Sequence, residues 1–230
     1  MKELRTPYFE TGVKCYLYGE EEMAFARKCE AAAVKYDVDV LFISSFMNMK
    51  DIVRECPHLF VIAQAVDNWK PGRGMGKIIP EALKAAGAWG ACINHCERPM
   101  GLADIKGSID RCREAGIKSF VCADSTDEAM AVANLHPDIM NPEPSELIGT
   151  GVSPDMAYVT STVKAVNAID PSIITEIAAG ISTAEDVYAY IMAGSDAAGA
   201  ASGIIKSDRP DELLDEMVAA VAKAKKDLGR

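Results

Sequence analysis

Three side chains in this sequence could together move a proton. Glu143 is a carboxylate, His95 an imidazole and Lys14 an ammonium. These are the groups that remove a proton α to a carbonyl and stabilise the enediolate that follows. His95 follows Ile93-Asn94, where an apolar stretch ends, and precedes Cys96-Glu97-Arg98. N–H groups of a helix about to begin there would disfavour the imidazolium and keep a neutral ring able to donate to a carbonyl oxygen. A lone histidine also fits a packed residue that satisfies a backbone carbonyl, and only the strand-end position argues otherwise. His58 and His136 each lie beside a proline ahead of a strand and lack that setting.

Glu143 runs directly into Pro144-Ser145-Glu146-Leu147-Ile148-Gly149-Thr150-Gly151. A base followed by a loop with prolines at one end and glycines at the other has the form of a lid on two hinges. Its closure would exclude water from the base. The same residues also suit an ordinary loop carrying a solvated glutamate. Lys14 lies in Gly12-Val13-Lys14-Cys15-Tyr16, where strand alternation puts it on the face of Gly12 and Tyr16. An ammonium directed inward needs an anion, and either a bound phosphate or Glu97 would supply one. Otherwise it snorkels to the surface. Two late segments, Ala178-Ala179-Gly180-Ile181 and Ala200-Ala201-Ser202-Gly203, are small enough for backbone N–H groups to approach an anion. The glycine run Pro71-Gly72-Arg73-Gly74-Met75-Gly76 lacks the lysine-serine ending of a nucleotide-binding loop and reads as a protruding loop.

Apolar, β-branched stretches of strand length alternate with longer stretches of helical period along the whole chain, the pattern of repeated βα units. Strands are expected around Tyr8–Tyr16, Asp39–Ser44, Leu59–Gln64, Trp89–Asn94, Lys118–Ala123, Asp138–Glu143, Ile173–Ala178 and Asp196–Ser202. Helices are expected over Glu20–Tyr36, Pro80–Ala86, Leu102–Ala115, Thr126–Asn134, Asp155–Asn167, Thr183–Ala193 and Pro210–Leu228, with a weaker one at Met47–Cys56. Ser125, Ser153 and Ser182 are placed to cap helix starts, and Gly87, Gly116 and Gly194 to end helices. With no linker or low-complexity tract, residues 1–230 read as one α/β domain, a closed (β/α)₈ barrel. Polar residues at the carboxyl ends of barrel strands are then where chemistry belongs: Lys14, Asp67, His95 with Glu97, and Glu143.

The net charge of −10 gives no electrostatic footprint for nucleic acid. No apolar run is long enough to span a bilayer, and the charged start MKELRTPYFE is unlike a signal peptide, so a cytoplasmic protein without membrane partners is expected. Seven cysteines without a C-x-x-C pair argue against a disulfide framework or a zinc site.

Ile-Asn-His-Cys-Glu-Arg at 93–98 resembles the electrophile motif of the triosephosphate isomerase family, and Glu-Pro-Ser-Glu-Leu-Ile-Gly-Thr-Gly at 143–151 resembles its base-and-lid motif in compact archaeal form. The resemblance implies a single-domain TIM barrel, with Glu143 as proton-shuttling base, His95 as neutral electrophile and Lys14 as the cation beside the substrate oxygens. The family is itself the standard illustration of this carboxylate and neutral-imidazole pairing, so that logic is inherited with the likeness. It further implies main-chain groups near Ile148, Gly149, Gly180, Ala201 and Ser202 as phosphate ligands, Gly12 beside the substrate, and Glu97 and Cys96 in support. Cys122 matches a cysteine the family keeps near its site. A small sugar phosphate is the implied partner, no metal or organic cofactor is needed, and a homo-oligomer, dimer or tetramer, is expected, with Trp69, Arg73 and Met75 at its interface.

The departures are specific. Gly12 stands where the family has an asparagine that touches substrate, leaving a water or Tyr16 to fill the place. Cys96 replaces a serine, Ala178 a glycine of the seventh loop, and Gly72–Gly76 a family loop that reaches a neighbouring subunit. Losing one active-site donor costs about 10²–10³ in rate. Three functions therefore stand open: interconversion of glyceraldehyde 3-phosphate and dihydroxyacetone phosphate, isomerisation of another sugar phosphate such as a tetrulose phosphate for which Gly12 gives room, or a sugar-phosphate-binding barrel without catalysis.

Overall fold

In the computed structural model, which describes residues 2–230, eight parallel strands close into a barrel in sequence order. The strands are β1 (Tyr8–Gly12), β2 (Val40–Ser44), β3 (Phe60–Ala63), β4 (Gly90–Ile93), β5 (Lys118–Ala123), β6 (Ile139–Pro142), β7 (Ile174–Ile177) and β8 (Ala197–Gly199). Closure comes from β8 pairing with β1, with Tyr8 opposite Ala197 and Glu10 opposite Gly199. Around the sheet run α1 (Glu20–Tyr36), α2 (Met49–Glu55), α3 (Pro80–Ala85), α4 (Leu102–Ala115), α5 (Thr126–Ala133), α6 (Met156–Ile169), α7 (Ala184–Met192), α8 (Ser202–Ile205) and α9 (Pro210–Asp227).

Period-two alternation divides each strand between two buried layers. Phe9, Val40, Phe42, Val61, Ala91, Val121 and Met140 face outward into a core shared with the helices. Tyr8, Leu41, Phe60, Ile62, Cys92, Phe120 and Ile139 fill the barrel interior. That filling stops the lower end, so the open end is the one where the strands' carboxyl termini lie.

Local chemistry accounts for the helix boundaries. Ser125 accepts from the Glu128 N–H at the start of α5, as its type predicts. At α6 and α7 the caps are Asp155 and Thr183, one or two residues beyond the expected Ser153 and Ser182. Each of these accepts a bond from the third residue after it. Gly116 ends α4 in the left-handed conformation.

Two strand ends differ from expectation. β1 stops at Gly12, and Lys14 has φ 46°, so alternation does not set its direction. β8 stops at Gly199, and Ser202 opens the short α8 that a strand reading had absorbed. No helix among the described residues is long and apolar enough to cross a membrane.

Candidate active site

The open end of the barrel holds a cavity of about 840 Å³. Lys14, His95, Glu97, Glu143, Gly12, Ile148, Gly149, Gly180, Ala201 and Ser202 all line it. Cys96 does not; it is half-buried behind His95, its Sγ 3.8 Å from the ring Nδ1.

Lys14 reaches the cavity through a turn. Its left-handed backbone is held by Gln64, which follows β3 and donates Nε2 to the Lys14 carbonyl at 2.8 Å. Lys14 Nζ then bonds Glu97 Oε1 at 2.9 Å. Burial works against the ammonium, but the Glu97 hydrogen bond and charge outweigh it, and the Lys14 pKa is raised. Burial likewise opposes Glu97, and Lys14 reverses the effect, so Glu97 stays below the usual carboxylate range. Of the two anions expected to justify Lys14, the protein supplies Glu97.

His95 sits in a tight turn closed by the Arg98 N–H on the His95 carbonyl, with α4 beginning only at Leu102. The dipole facing the ring is therefore that of the turn, not of the expected helix start. The Glu97 N–H donates to His95 Nδ1 at 3.1 Å. A nitrogen that accepts carries no hydrogen, which leaves Nε2 as the N–H of a neutral ring. Burial, then the Lys14 charge, lowers the His95 pKa and favours the same state. Asn94 fixes the turn: at φ 60° it donates Nδ2 to the Cys122 carbonyl and to Glu128 at 3.0 Å each, while its Oδ1 accepts from the Met100 N–H at 2.8 Å.

Glu143 follows β6 and is half-buried at the cavity wall. Burial raises its pKa to about 7, against the Lys14 charge, the Ala179 N–H and the Asn141 side chain. Its loop folds into a short 3₁₀ turn, Ser145–Leu147, and passes over Gly149 and Gly151, both at positive φ. The loop's far end packs directly on the seventh loop: a Cβ on Gly180, which has φ 64°, would lie 1.9 Å from the Val152 carbonyl oxygen. One on Gly149 would lie 4.0 Å from Ser202 Oγ, so the loop tip stands near α8.

Several positioning residues escaped the sequence reading: Gln64, Asn94 and Asn141. Each is a polar residue at or inside an apolar strand, and that was the available signal. Asp67, expected among the chemical groups, instead holds Arg98 at 2.7 Å and the Ile78 N–H. Tyr16 does not fill the place left by Gly12; it is partly exposed with Lys206 4.9 Å above its ring. Nor does Gly12 open room, since a Cβ there would lie 2.9 Å from the Ile43 Cβ. His58 and His136 lie away from the cavity, paired with Glu30 and Asp170.

The family model described as triosephosphate isomerase matches residues 9–213. A triosephosphate isomerase of Sulfolobus acidocaldarius is 33% identical over 225 residues, covering 96% of this chain and 97% of the relative. One of Methanobacterium bryantii is 34% identical over 227 residues, covering 96% and 100%. The crystal structure of triosephosphate isomerase from Bartonella henselae superposes with a TM-score of 0.76 over 94% of this chain and 98% of that one, at 14% identity, a likeness of fold. A closed eight-stranded barrel with a neutral imidazole, a lysine and a loop-tethered carboxylate at its mouth, matched over nearly its whole length by these relatives, belongs to the triosephosphate isomerase family.

Proposed function

We propose that this chain interconverts glyceraldehyde 3-phosphate and dihydroxyacetone phosphate by proton transfer through an enediolate. The observation that carries the reading is the Glu97 N–H on His95 Nδ1, which leaves Nε2–H as a neutral donor in the same cavity as Glu143. Glu143 removes the proton from the carbon next to the carbonyl and returns it to the neighbouring carbon. His95 Nε2–H donates to the oxygens where negative charge develops, and the Lys14 ammonium offsets that charge. Neutral imidazole suits the task, because an uncharged donor hands its hydrogen back without a large change in driving force.

The phosphate is held by main-chain N–H groups around Gly149, Gly180, Ala201 and Ser202, where the loop after Glu143 meets α8. Closing that loop dries the base and strengthens every charge interaction inside. The chemistry needs no metal or organic cofactor. Residues 1–230 act as one barrel domain, and free thiols at all seven cysteines suit a reducing cytoplasm.

The deciding experiment is turnover of both triose phosphates by purified protein in an enzyme-coupled assay, together with Glu143→Asp. Retracting the carboxylate by about 1 Å lowers the rate on the order of 10²-fold. A wild type inactive on both trioses, or a variant that keeps full activity, overturns the reading.

We further propose that copies of the chain associate through the Trp69–Met75 loop. Its Trp69 Nε1 donates to the Arg73 carbonyl at 2.6 Å, holding Met75 fully exposed at the tip. Sedimentation at micromolar concentration is expected to give more than a monomer, with Met75→Asp reducing the assembly.

A further inference from the structure

Glu10 has no part in the mechanism above, yet it is placed among its groups. It stands on β1 one pleat below Gly12 on the same face, only 6% exposed, and lines the floor of the cavity. Its strand neighbours are engaged: Tyr8 donates its hydroxyl to Glu176, and Thr11 Oγ1 donates to the Ala200 carbonyl. The Glu10 carboxyl has no hydrogen-bond partner among the described residues, and only burial and charge act on it.

Its niche is built by the neighbouring strand β8, where Gly199 is its register partner. A Cβ on Gly199 would lie 2.1 Å from Glu10 Oε2, so this carboxyl rotamer and any side chain at position 199 exclude each other. A buried carboxyl that lines a cavity and has no protein hydrogen-bond partner has a capacity that only a ligand or water can use.

We propose that Glu10, as a neutral carboxylic acid on the cavity floor, donates a hydrogen bond to a substrate oxygen from below, the contact that Gly12 has no side chain to make. The proposal deepens the isomerase reading and rests on it for the identity of that oxygen's owner.

The groups facing Glu10 support the neutral form. Glu143 lies above it at the end of β6 and repels its charge, Lys14 at the end of β1 attracts it, and Glu176 on β7 lies near enough to feel it. Tyr8 shares its strand, and the Cys92 and Cys122 thiols lie across the interior. Burial and the Glu143 charge prevail over Lys14 and raise the Glu10 pKa to about 8. At neutral pH the group is an O–H donor; above about pH 8 it becomes an anion, which accepts only and repels a phosphorylated substrate.

Glu10→Gln keeps a neutral donor of nearly the same shape, and Glu10→Leu removes it. With glyceraldehyde 3-phosphate as substrate, the Gln variant is expected near wild-type kcat/KM at pH 7. The wild type is expected to lose activity above about pH 8 and the Gln variant to keep it, a difference that a structural role alone would not produce. The Leu variant is expected to lose about 10²–10³ in kcat/KM. Retention of the alkaline fall in Glu10→Gln, or full activity in Glu10→Leu, overturns the proposal while leaving the isomerase reading intact. If the wild type turns over neither triose, the isomerase reading falls, and titration calorimetry with glycerol 3-phosphate decides on Glu10. Wild-type affinity falling between pH 7 and 9 while Glu10→Gln affinity holds supports it, and equal behaviour of the two overturns it.

Discussion

A base in a half-buried wall works only when it has lost its proton. Because burial lifts Glu143, the proposed base, to about 7, kcat/KM is expected to rise as pH climbs towards that value and to pass through a narrow maximum before falling above about pH 8 as Glu10 ionises. Burial and the Lys14 charge lower the His95 pKa and favour its neutral form. A pH profile of the purified enzyme checks this; a flat response between pH 6 and 8 removes Glu143 from its role. That Glu143, His95 and Lys14 would gather at one cavity was legible in the sequence because each is a reactive type near a strand end. What holds them was not. Gln64 acts on the Lys14 carbonyl and the Glu97 backbone acts on the His95 ring, contacts between segments whose proximity only barrel closure creates. Glu10 was hidden differently: nothing local to β1 marked the glycine on β8 that receives it.

At the level of elements, the turn after β4 hangs on one side chain. Asn94 bonds β5, α5 and the approach to α4 at once, from a left-handed backbone that few residues adopt. Asn94→Ala is expected to cost about 1–3 kcal/mol in urea unfolding, from the Glu128 and Met100 groups it strands, and to lower kcat by misplacing His95. Asn94→Gly keeps the backbone conformation and loses the bonds, so a similar deficit in both variants assigns the effect to the amide. The loop after Glu143 is bonded within itself, and its far end rests on close contact with the seventh loop. Gly180→Ala adds a methyl against the Val152 carbonyl and is expected to raise KM for the triose phosphate more than it lowers thermal stability. An unchanged KM would show that the loop's far end is free of the seventh loop during turnover. Seven of the helices were readable from their period and end residues, whereas the four-residue α8 was not, being too short to display a period.

On the scale of the whole barrel, acidic groups gather in a layer meant for apolar ones. Glu10 at about 8, Glu143 at about 7 and Glu176, raised well above its ordinary value by burial and the Glu10 charge, all hold protons that the unfolded chain releases near 4.5. Raised carboxyls favour the native state below the unfolded pKa, and the advantage shrinks as pH climbs towards the folded values. The urea midpoint is therefore expected to fall between pH 5 and 8, and Glu10→Gln to flatten that slope. A slope identical in the variant would mean that other groups govern it. The barrel class was readable from alternation and element count, but the interior carboxyls could be appraised only once closure set Tyr8, Glu10 and Glu176 around one axis.

The stopped lower end, with Tyr8, Ile62 and Ile139 without solvent contact, leaves the barrel cavity a single doorway among the described residues. Substrate, product and displaced water must all pass the rim that the loop after Glu143 overhangs. Traffic there is strictly two-way, so a departing product and an arriving substrate compete for one passage. Thickening the medium with sucrose should slow the exchange at that doorway even where the chemistry behind it is untouched.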